Sequence, residues 1–457
     1  MILFKPNYKT MKQLFFIIIS LLGAVGHAQD KNFDLSKYKF PDYKRHELEF
    51  SFNSNGSNYK RYYEIPATSS YNASLYDDSE SYFNSHLQGY YYFTNYKRNR
   101  IDWINTSIKG DYQFTKSENV GSYYKNSQPH FETSFSAKRR NYITEDKFFW
   151  EGSTHLGVSL NKRKITYDDR PMETSTSNYF SFNAGIGIGT GRIEHVNDLW
   201  QGYYILEKLK NQNSIKQELK EDDVYEFSRF ISKLNNKRFF DYRLRKIAEL
   251  QALDSVLRKQ NLIINDDITY FTTLNDYWSF PIYFDRKTGK EVGFNVMPQY
   301  YHDYDKSDSY KNTSNAVFLE SKFYFDHSKQ INLNWERNFH FDQINTTLLS
   351  EESDENTNTK KNQVATNASF DYGYFPNTRT RVQFGCKYQG NEFRYLSSTV
   401  TKNSWMNTVI LDLDIAYFIS PQVQAGASFS DRHWFSPLNS THGHEIFYNL
   451  SFRYAIF

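Results

Sequence analysis

The chain has 457 residues, with 55 Lys and Arg against 52 Asp and Glu, for a net charge of +3. That balance leaves no basic stripe for a nucleic-acid partner. The single cysteine, Cys386, excludes an intramolecular disulfide and a cysteine-based zinc site. Mean hydropathy is low, at −0.75. Yet 18% of residues are aromatic, including 38 Tyr and 39 Phe. Disordered chains are aromatic-poor, whereas Tyr and Phe suit strands and membrane interfaces.

Residues 1–28 read as a signal-peptide region with its functional start at Met11. Lys12 is the positive head, Leu14 to Leu22 the apolar core, and Gly26 and Ala28 the small residues before a cut at Gln29. Residues 29–43 form an N-terminal segment. After Ala28 no apolar run approaches the length of a membrane helix.

From residue 44 the pattern alternates with period two. Leu48, Phe50 and Phe52 open it; Ile104, Ile108, Tyr112 and Phe114 continue it; Phe180, Phe182, Ile186 and Ile188 close the first half at residue 193. Six strands are expected over 44–193 and eight over 279–457, about fourteen in all. The residues between are small, polar or charged, as in Ser369, Asp371 and Gly373. Short connections fall near 97–100, 141–146, 326–329, 375–378 and 419–422. Long ones fall near 53–84, 116–128, 165–178, 304–314, 343–362, 394–402 and 435–443. Long strands with short turns at one rim and long loops at the other predict a closed antiparallel transmembrane β-barrel. Aromatic clusters near both rims fit two interfacial girdles.

Residues 194–278 break the period and read as a helical insert between strands six and seven. Asp198 is placed to cap a helix carrying Leu199, Tyr203, Leu206 and Leu209. Glu221, Asp222 and Asp223 open a second, with Val224, Phe227, Phe230, Ile231 and Leu234. A third carries Leu244, Ile247, Leu250, Leu253 and Leu257; a fourth, after Asp267, carries Ile268, Phe271 and Leu274. With an even number of strands before it, the insert belongs on the side of the short turns and of both termini.

The chain ends "EIFYNLSFRYAIF", and Ile446, Tyr448, Leu450, Phe452, Tyr454, Ile456 and Phe457 read as the strand that closes the barrel on the first. Arg453 would then sit level with Glu47 and Glu49 and form a cross-seam ion pair. This ending resembles that of outer-membrane β-barrel proteins of Gram-negative bacteria, whose last strand ends on an aromatic read by the assembly machinery. The matching residues are Phe452, Tyr454 and Phe457, although Arg453 and Ala455 interrupt the row leading to Phe457. The stretches "GRIEHVNDLWQGYYILEKL" and "NNKRFFDYRLRKIAEL" look like an insert in uncharacterised outer-membrane proteins of the Bacteroidota. The resemblance implies outer-membrane lipid and the barrel-assembly machinery as partners and periplasmic termini, and implies no known activity.

The lumen face should carry charges of both signs: Glu132, Lys138, Glu151, Arg381 and Lys387, with the pairs Asp412 and Asp414, and Glu320 and Lys322. Paired carboxylates suit acid–base work, and they equally make a charged water-facing wall. No nucleophile–base pair stands out, so no catalytic residue and no cofactor is assigned. His433, His442 and His444 share the last long loop; His442 and His444 could bind a metal through imidazole, a solvated loop is the plainer reading, and no metal site is assigned. "GIGIGTG" at 185–191 lacks the Lys-Ser/Thr of a phosphate loop and reads as small lumen-facing residues. Lys237, Arg238, Arg243, Arg245 and Lys246 form a basic cluster on the insert, suited to an acidic partner or lipid headgroups. The leading expectation is porin-like passage or binding of small solutes. The alternative is a non-conducting structural or assembly protein whose insert docks a periplasmic partner or plugs the barrel; a surface hydrolase ranks third.

Overall fold

The structure is a computed structural model that describes residues 37–454, apart from 66–73, 120–121, 145–146, 169, 237–241, 280–285, 354–359, 378, 397–400, 421–422 and 437–440. Six strands come first: β1 (Tyr43–Ile65), β2 (Ser74–Tyr96), β3 (Arg100–Asn119), β4 (Ser122–Tyr142), β5 (Phe148–Tyr167) and β6 (Arg170–His195). Four helices follow: α1 (Asn197–Asn211), α2 (Glu221–Asn235), α3 (Tyr242–Lys259) and α4 (Ile268–Ser279). The second half begins with β7 (Lys287–Lys306), β8 (Lys311–Gln330), β9 (Trp335–Ser353) and β10 (Lys360–Asn377). It ends with β11 (Thr380–Leu396), β12 (Thr401–Ser420), β13 (Val423–Ser436) and β14 (Thr441–Tyr454).

The fourteen strands form one antiparallel sheet in sequence order. Adjacent strands joined by short connections pair with their neighbours, and the helical insert interrupts this meander only in sequence, since β6 still pairs β7 from Thr176↔Lys306 to His195↔Lys287. That ladder skips a step between Asn183↔Gln299 and Ile186↔Val296, where Pro298 has no N–H to give.

Period two places the apolar residues on one face, and that face is exposed. Phe50 is 71% exposed, Ile186 76% and Leu450 82%. Ile108, Phe131, Trp150, Phe182, Phe294, Phe323, Phe384, Leu413 and Phe429 are exposed along with them. The other face curls around a cavity, for residues of β1 to β3 and of β7 to β10 line the same space.

Three expectations need correction. The long connections are mostly strand: β1 runs to Ile65 and β2 starts at Ser74, inside the expected 53–84 loop, and β3 and β4 meet across 120–121. Ser-, Asn- and Lys-rich segments pair readily once two strands are already aligned, and polarity on both faces tells only that no lipid touches them. Strands of 20 to 26 residues, such as β3 and β6, exceed the roughly 9–11 that cross a bilayer. The turn expected at 326–329 lies instead at 331–334, where Asn332 Oδ1 accepts from the N–H groups of Asn334 and Trp335, each at 2.9 Å. And no β1–β14 pairing closes the sheet among the described residues, where β1 and β14 each pair with one neighbour only.

The buried core lies in the insert and the rim beneath it. In α1, Leu199, Ile205, Leu206 and Leu209 are fully buried, with Trp200 and Tyr204 beside them. Most of α1 is buried, with Lys208 and Asn211 left exposed near its end, and it packs against α2 and α4. Asp198 does not cap α1. Its carboxylate accepts from Ser232 Oγ and from Asn235 Nδ2 at 2.9 Å, tying α1 to α2. Burial pushes that carboxyl above the usual range. Asp267 does cap α4, accepting from the N–H groups of Thr269 and Tyr270. The buried stripe of α4 is Tyr270, Leu274 and Trp278; Ile268 and Phe271 are exposed, as is Ile247 on α3.

Candidate functional site

The curled face holds a cavity of about 600 Å³ at the end nearest the insert, lined by Tyr96, Trp103, Lys138, Arg140, Glu291, Asp326, His340 and Asp371 among others. Its floor is β6. Opposed residues run in one row from Ile101 through Arg140, Glu151, Gly187 and Asn295 to Lys322, crossing six strands. Glycine in the middle of that row is a steric requirement. A Cβ at Gly187 would overlap Asn295 Oδ1, and one at Gly189 would overlap the Phe149 ring. At Gly191 the backbone also has φ +93°, where a side chain is strained.

Over that low floor, side chains of β4 and β5 reach those of β7 and β8. Arg140 donates to Glu151 Oε2 from Nε (3.0 Å) and Nη2 (2.8 Å), and to Glu291 Oε2 from Nη1 (2.6 Å). The Tyr324 hydroxyl donates to Glu291 Oε1 at 3.0 Å and accepts from Arg140 Nη2 at 3.1 Å. Lys138 lies 2.9 Å from the other Glu151 oxygen. The Arg140 guanidinium stacks 4.0 Å above the Phe149 ring. Two carboxylates thus share a buried guanidinium, a lysine and a phenol, so the charge is balanced locally. Across the cavity, His340 sits between Asp326 (2.6 Å) and Asp342 (3.1 Å), and Lys322 pairs with Asp342 at 2.9 Å.

The remaining sequence-assigned charges lie along the same wall, some in local pairs. Glu132 pairs with Lys109 at 3.4 Å and Lys387 with Asp412 at 2.8 Å; Glu320 accepts from Gln299 at 2.7 Å. Asp414 is opposite Gln383, and Arg381 opposite Ala416. Among the described residues, neither the Asp412 and Asp414 pair nor the Glu320 and Lys322 pair faces a nucleophile arrangement; each belongs to the charged wall. Arg140, Glu291, Tyr324, Asp326, His340 and Asp342 were not singled out from sequence. Arg140 was within reach there, being two residues from Lys138 on the same face.

The seam residues do not meet. Glu47 is paired with Arg45, two residues away on its own strand. Arg453 is exposed and opposite Gln424. Among the described residues there is no ion pair between Arg453 and Glu47 or Glu49. The row Ile446, Tyr448, Leu450 and Phe452 is exposed; the Tyr454 side chain, Ile456 and Phe457 lie outside the described residues. So do Lys237, Arg238 and the Arg243 side chain, and the signal-peptide region. Of the basic cluster, Arg245 is paired with Glu249 at 2.7 Å.

The insert packs against the short-turn rim. Trp200 lies 6.3 Å from the Phe375 ring, and Arg286 stacks between the two. The Tyr204 hydroxyl is 3.1 Å from Asn334 Oδ1 and 3.2 Å from the Phe375 carbonyl, and Asp276 of α4 pairs with Arg379 at 2.6 Å. Asn334 and Arg379 belong to the β8–β9 and β10–β11 turns, so the insert shares the short-turn rim, as strand parity required. On the opposite wall Arg192 donates to the Arg98 and Lys97 carbonyls at 2.7 and 3.1 Å, and Tyr96 donates to Glu194 at 2.8 Å. The N-terminal segment joins in: Tyr38 is buried, its hydroxyl 3.0 Å from Ser232 Oγ and its ring stacked on Tyr225. A wider hollow of about 940 Å³ lies along β1–β6. There Asp102 is already held by Asn95 and Arg139, so the cavity nearest the insert is the stronger candidate.

The arrangement defines a class: a curled antiparallel sheet with an exposed apolar outer face, a charged inner wall and a helical insert packed against one rim. No family model matches the chain, and no curated protein matches it. Two solved structures are similar over most of its length. One is the translocator domain of the autotransporter NalP from Neisseria meningitidis, at 7% identity, covering 98% of each chain, with a TM-score of 0.24. The other is OmpTdeltaL8, a loop L8 deletion mutant of OmpT, an outer membrane protein of Vibrio cholerae. It is 6% identical and covers 88% of this chain and 99% of its own, also with a TM-score of 0.24. Superposition that loose carries no argument about this chain.

Proposed function

We propose that this chain is an outer-membrane β-barrel protein that admits small solutes from the cell exterior and whose own helical insert closes the periplasmic mouth. The exposed apolar residues, which recur on one face of strand after strand, support membrane residence, since soluble proteins rarely expose contiguous apolar patches beyond a few hundred Å². In hydrocarbon, unpaired edge strands would leave backbone groups unsatisfied at several kcal/mol each, by about the cost of any lone buried polar group. Residence in a bilayer therefore requires β1 and β14 to find partners, most simply each other.

The observation that carries the closed mouth is one continuous core. Leu199, Trp200 and Tyr204 of α1 are buried together with Tyr96, Tyr142, Phe149, Tyr324, Phe375 and Phe418 of the sheet. Solute passage then requires the insert to shift. The charged wall favours small polar or ionic solutes held by paired groups of both signs. Planar-bilayer recording tests this. The full chain should be silent or open in rare, brief events, and Trp200→Ala should raise the open fraction. A steady large conductance from the unaltered chain would overturn the reading.

A second reading rests on a separate observation. Ile268 and Phe271, three residues apart on α4, are exposed, as is Ile264 in the bend before that helix. These exposed side chains suit docking of a periplasmic protein. Capture of one defined partner, lost in an Ile268→Glu variant with conductance unaltered, would favour it over gating.

A further inference from the structure

The rim farthest from the insert holds a different chemistry. His433 and His444 are direct cross-strand partners, and Asp431 lies two residues earlier on β13, opposite Ile446. All three share the outward face with Phe429, Ile446 and Tyr448. Nε2 of His444 is 2.6 Å from Asp431 Oδ1, and Nε2 of His433 is 3.1 Å from the same oxygen. The rings are stacked, with centroids 4.3 Å apart and planes 15° from parallel. We propose that Asp431, His433 and His444 form a Zn²⁺ site that clips the edge strand β14 to β13.

The three donor atoms already lie within 4.8 Å of one another. Tetrahedral zinc with bonds of about 2.0–2.2 Å holds its ligands roughly 3.3 Å apart, so a small closing movement completes the set. Two imidazoles and one carboxylate suit a borderline ion, while Ca²⁺ and Mg²⁺ seek oxygen alone. Half-exposed rings leave water to fill the fourth position. The ladder, rather than a loop, fixes the spacing. His442 stands outside the group, opposite Phe435. Two stacked rings aimed at one oxygen must otherwise both point a proton at it, and one cation replaces both. The cluster sits where the exposed row Phe452, Leu450, Tyr448 and Ile446 ends, on the edge strand, where a cross-strand bond restrains the most.

The test uses the untagged full chain in detergent, stripped with chelator and titrated with Zn²⁺ against a chromophoric competitor. The expected result is one ion per chain, with affinity falling by about tenfold or more in each of His433→Ala and His444→Ala and unchanged in His442→Ala. Zn²⁺ should also slow hydrogen exchange of β14 in the unaltered chain only. Absence of stoichiometric binding, or binding that survives both His433→Ala and His444→Ala, overturns the proposal. Electrophoretic mobility of the unheated variants confirms that each is folded.

Discussion

The guanidinium of Arg286 stacks 3.4 Å from the centre of the Trp200 ring while its Nε donates to Glu336 Oε2 at 3.1 Å. One side chain, 1% exposed, thereby joins α1 to β9, and its remaining N–H groups reach the Leu333 carbonyl and Gln330. Removing it leaves Glu336, which is 5% exposed, without its cation and, among the described residues, with hydrogen bonds from Gln330 and Asn338 alone. Breaking one partner of a buried pair costs about 3–5 kcal/mol. Arg286→Ala should therefore loosen the insert. Protease should cut within 194–278 at lower concentration, and bilayer openings should become longer. A variant as resistant and as silent as the parent would show that the cap is held elsewhere.

The glycine floor gives a prediction with its own control. Gly189→Ala places a Cβ on the Phe149 ring, which supports Arg140. Overpacking of this kind costs roughly 1–3 kcal/mol, with more expected where backbone must move. At Gly110 and Gly152 a Cβ meets nothing within 4 Å. Gly189→Ala should lower the yield of folded, heat-modifiable protein, and Gly110→Ala and Gly152→Ala should leave it unchanged. Equal yields from all three would contradict the cross-floor network.

Much of this was legible in the alternation alone. Period two decides which face a residue takes, so the exposed row at Phe50, Ile186 and Leu450 and the inward set at Lys138, Glu151 and Asp412 follow from sequence. Helical spacing likewise located α1 to α4. What period two cannot convey is which strands face each other across a curl. Arg140 meets Glu291, 151 residues away, only because β6 is stripped of side chains between them. Asp198 looked like a cap because its spacing is that of a cap, but α2 packs close enough to capture the carboxylate. The expected Arg453 and Glu47 contact assumed a seam, and Arg45 lies nearer to Glu47 on the same strand.

Asp198 also makes the insert sensitive to pH. It is buried, and its carboxyl is raised above the ordinary value near 3.8, with burial as the main cause and the Ser232 and Asn235 hydrogen bonds acting against it. A raised carboxyl means that the folded insert holds this proton more tightly than the unfolded one. Its stability therefore falls as pH climbs from the ordinary carboxylate value through the raised one. Above that window the carboxylate is charged and costs stability at every pH. Asp198→Asn removes the charge and keeps an oxygen for Asn235, while Ser232 can turn its hydroxyl toward Tyr38, 3.0 Å away. The substituted insert should resist denaturant better at neutral pH and lose the decline seen in the parent between acid and neutral conditions. Following Trp fluorescence of the insert through urea titrations at a series of pH values checks both. If Asp198→Asn were weaker at neutral pH, the ionised carboxylate would instead be holding α1 to α2.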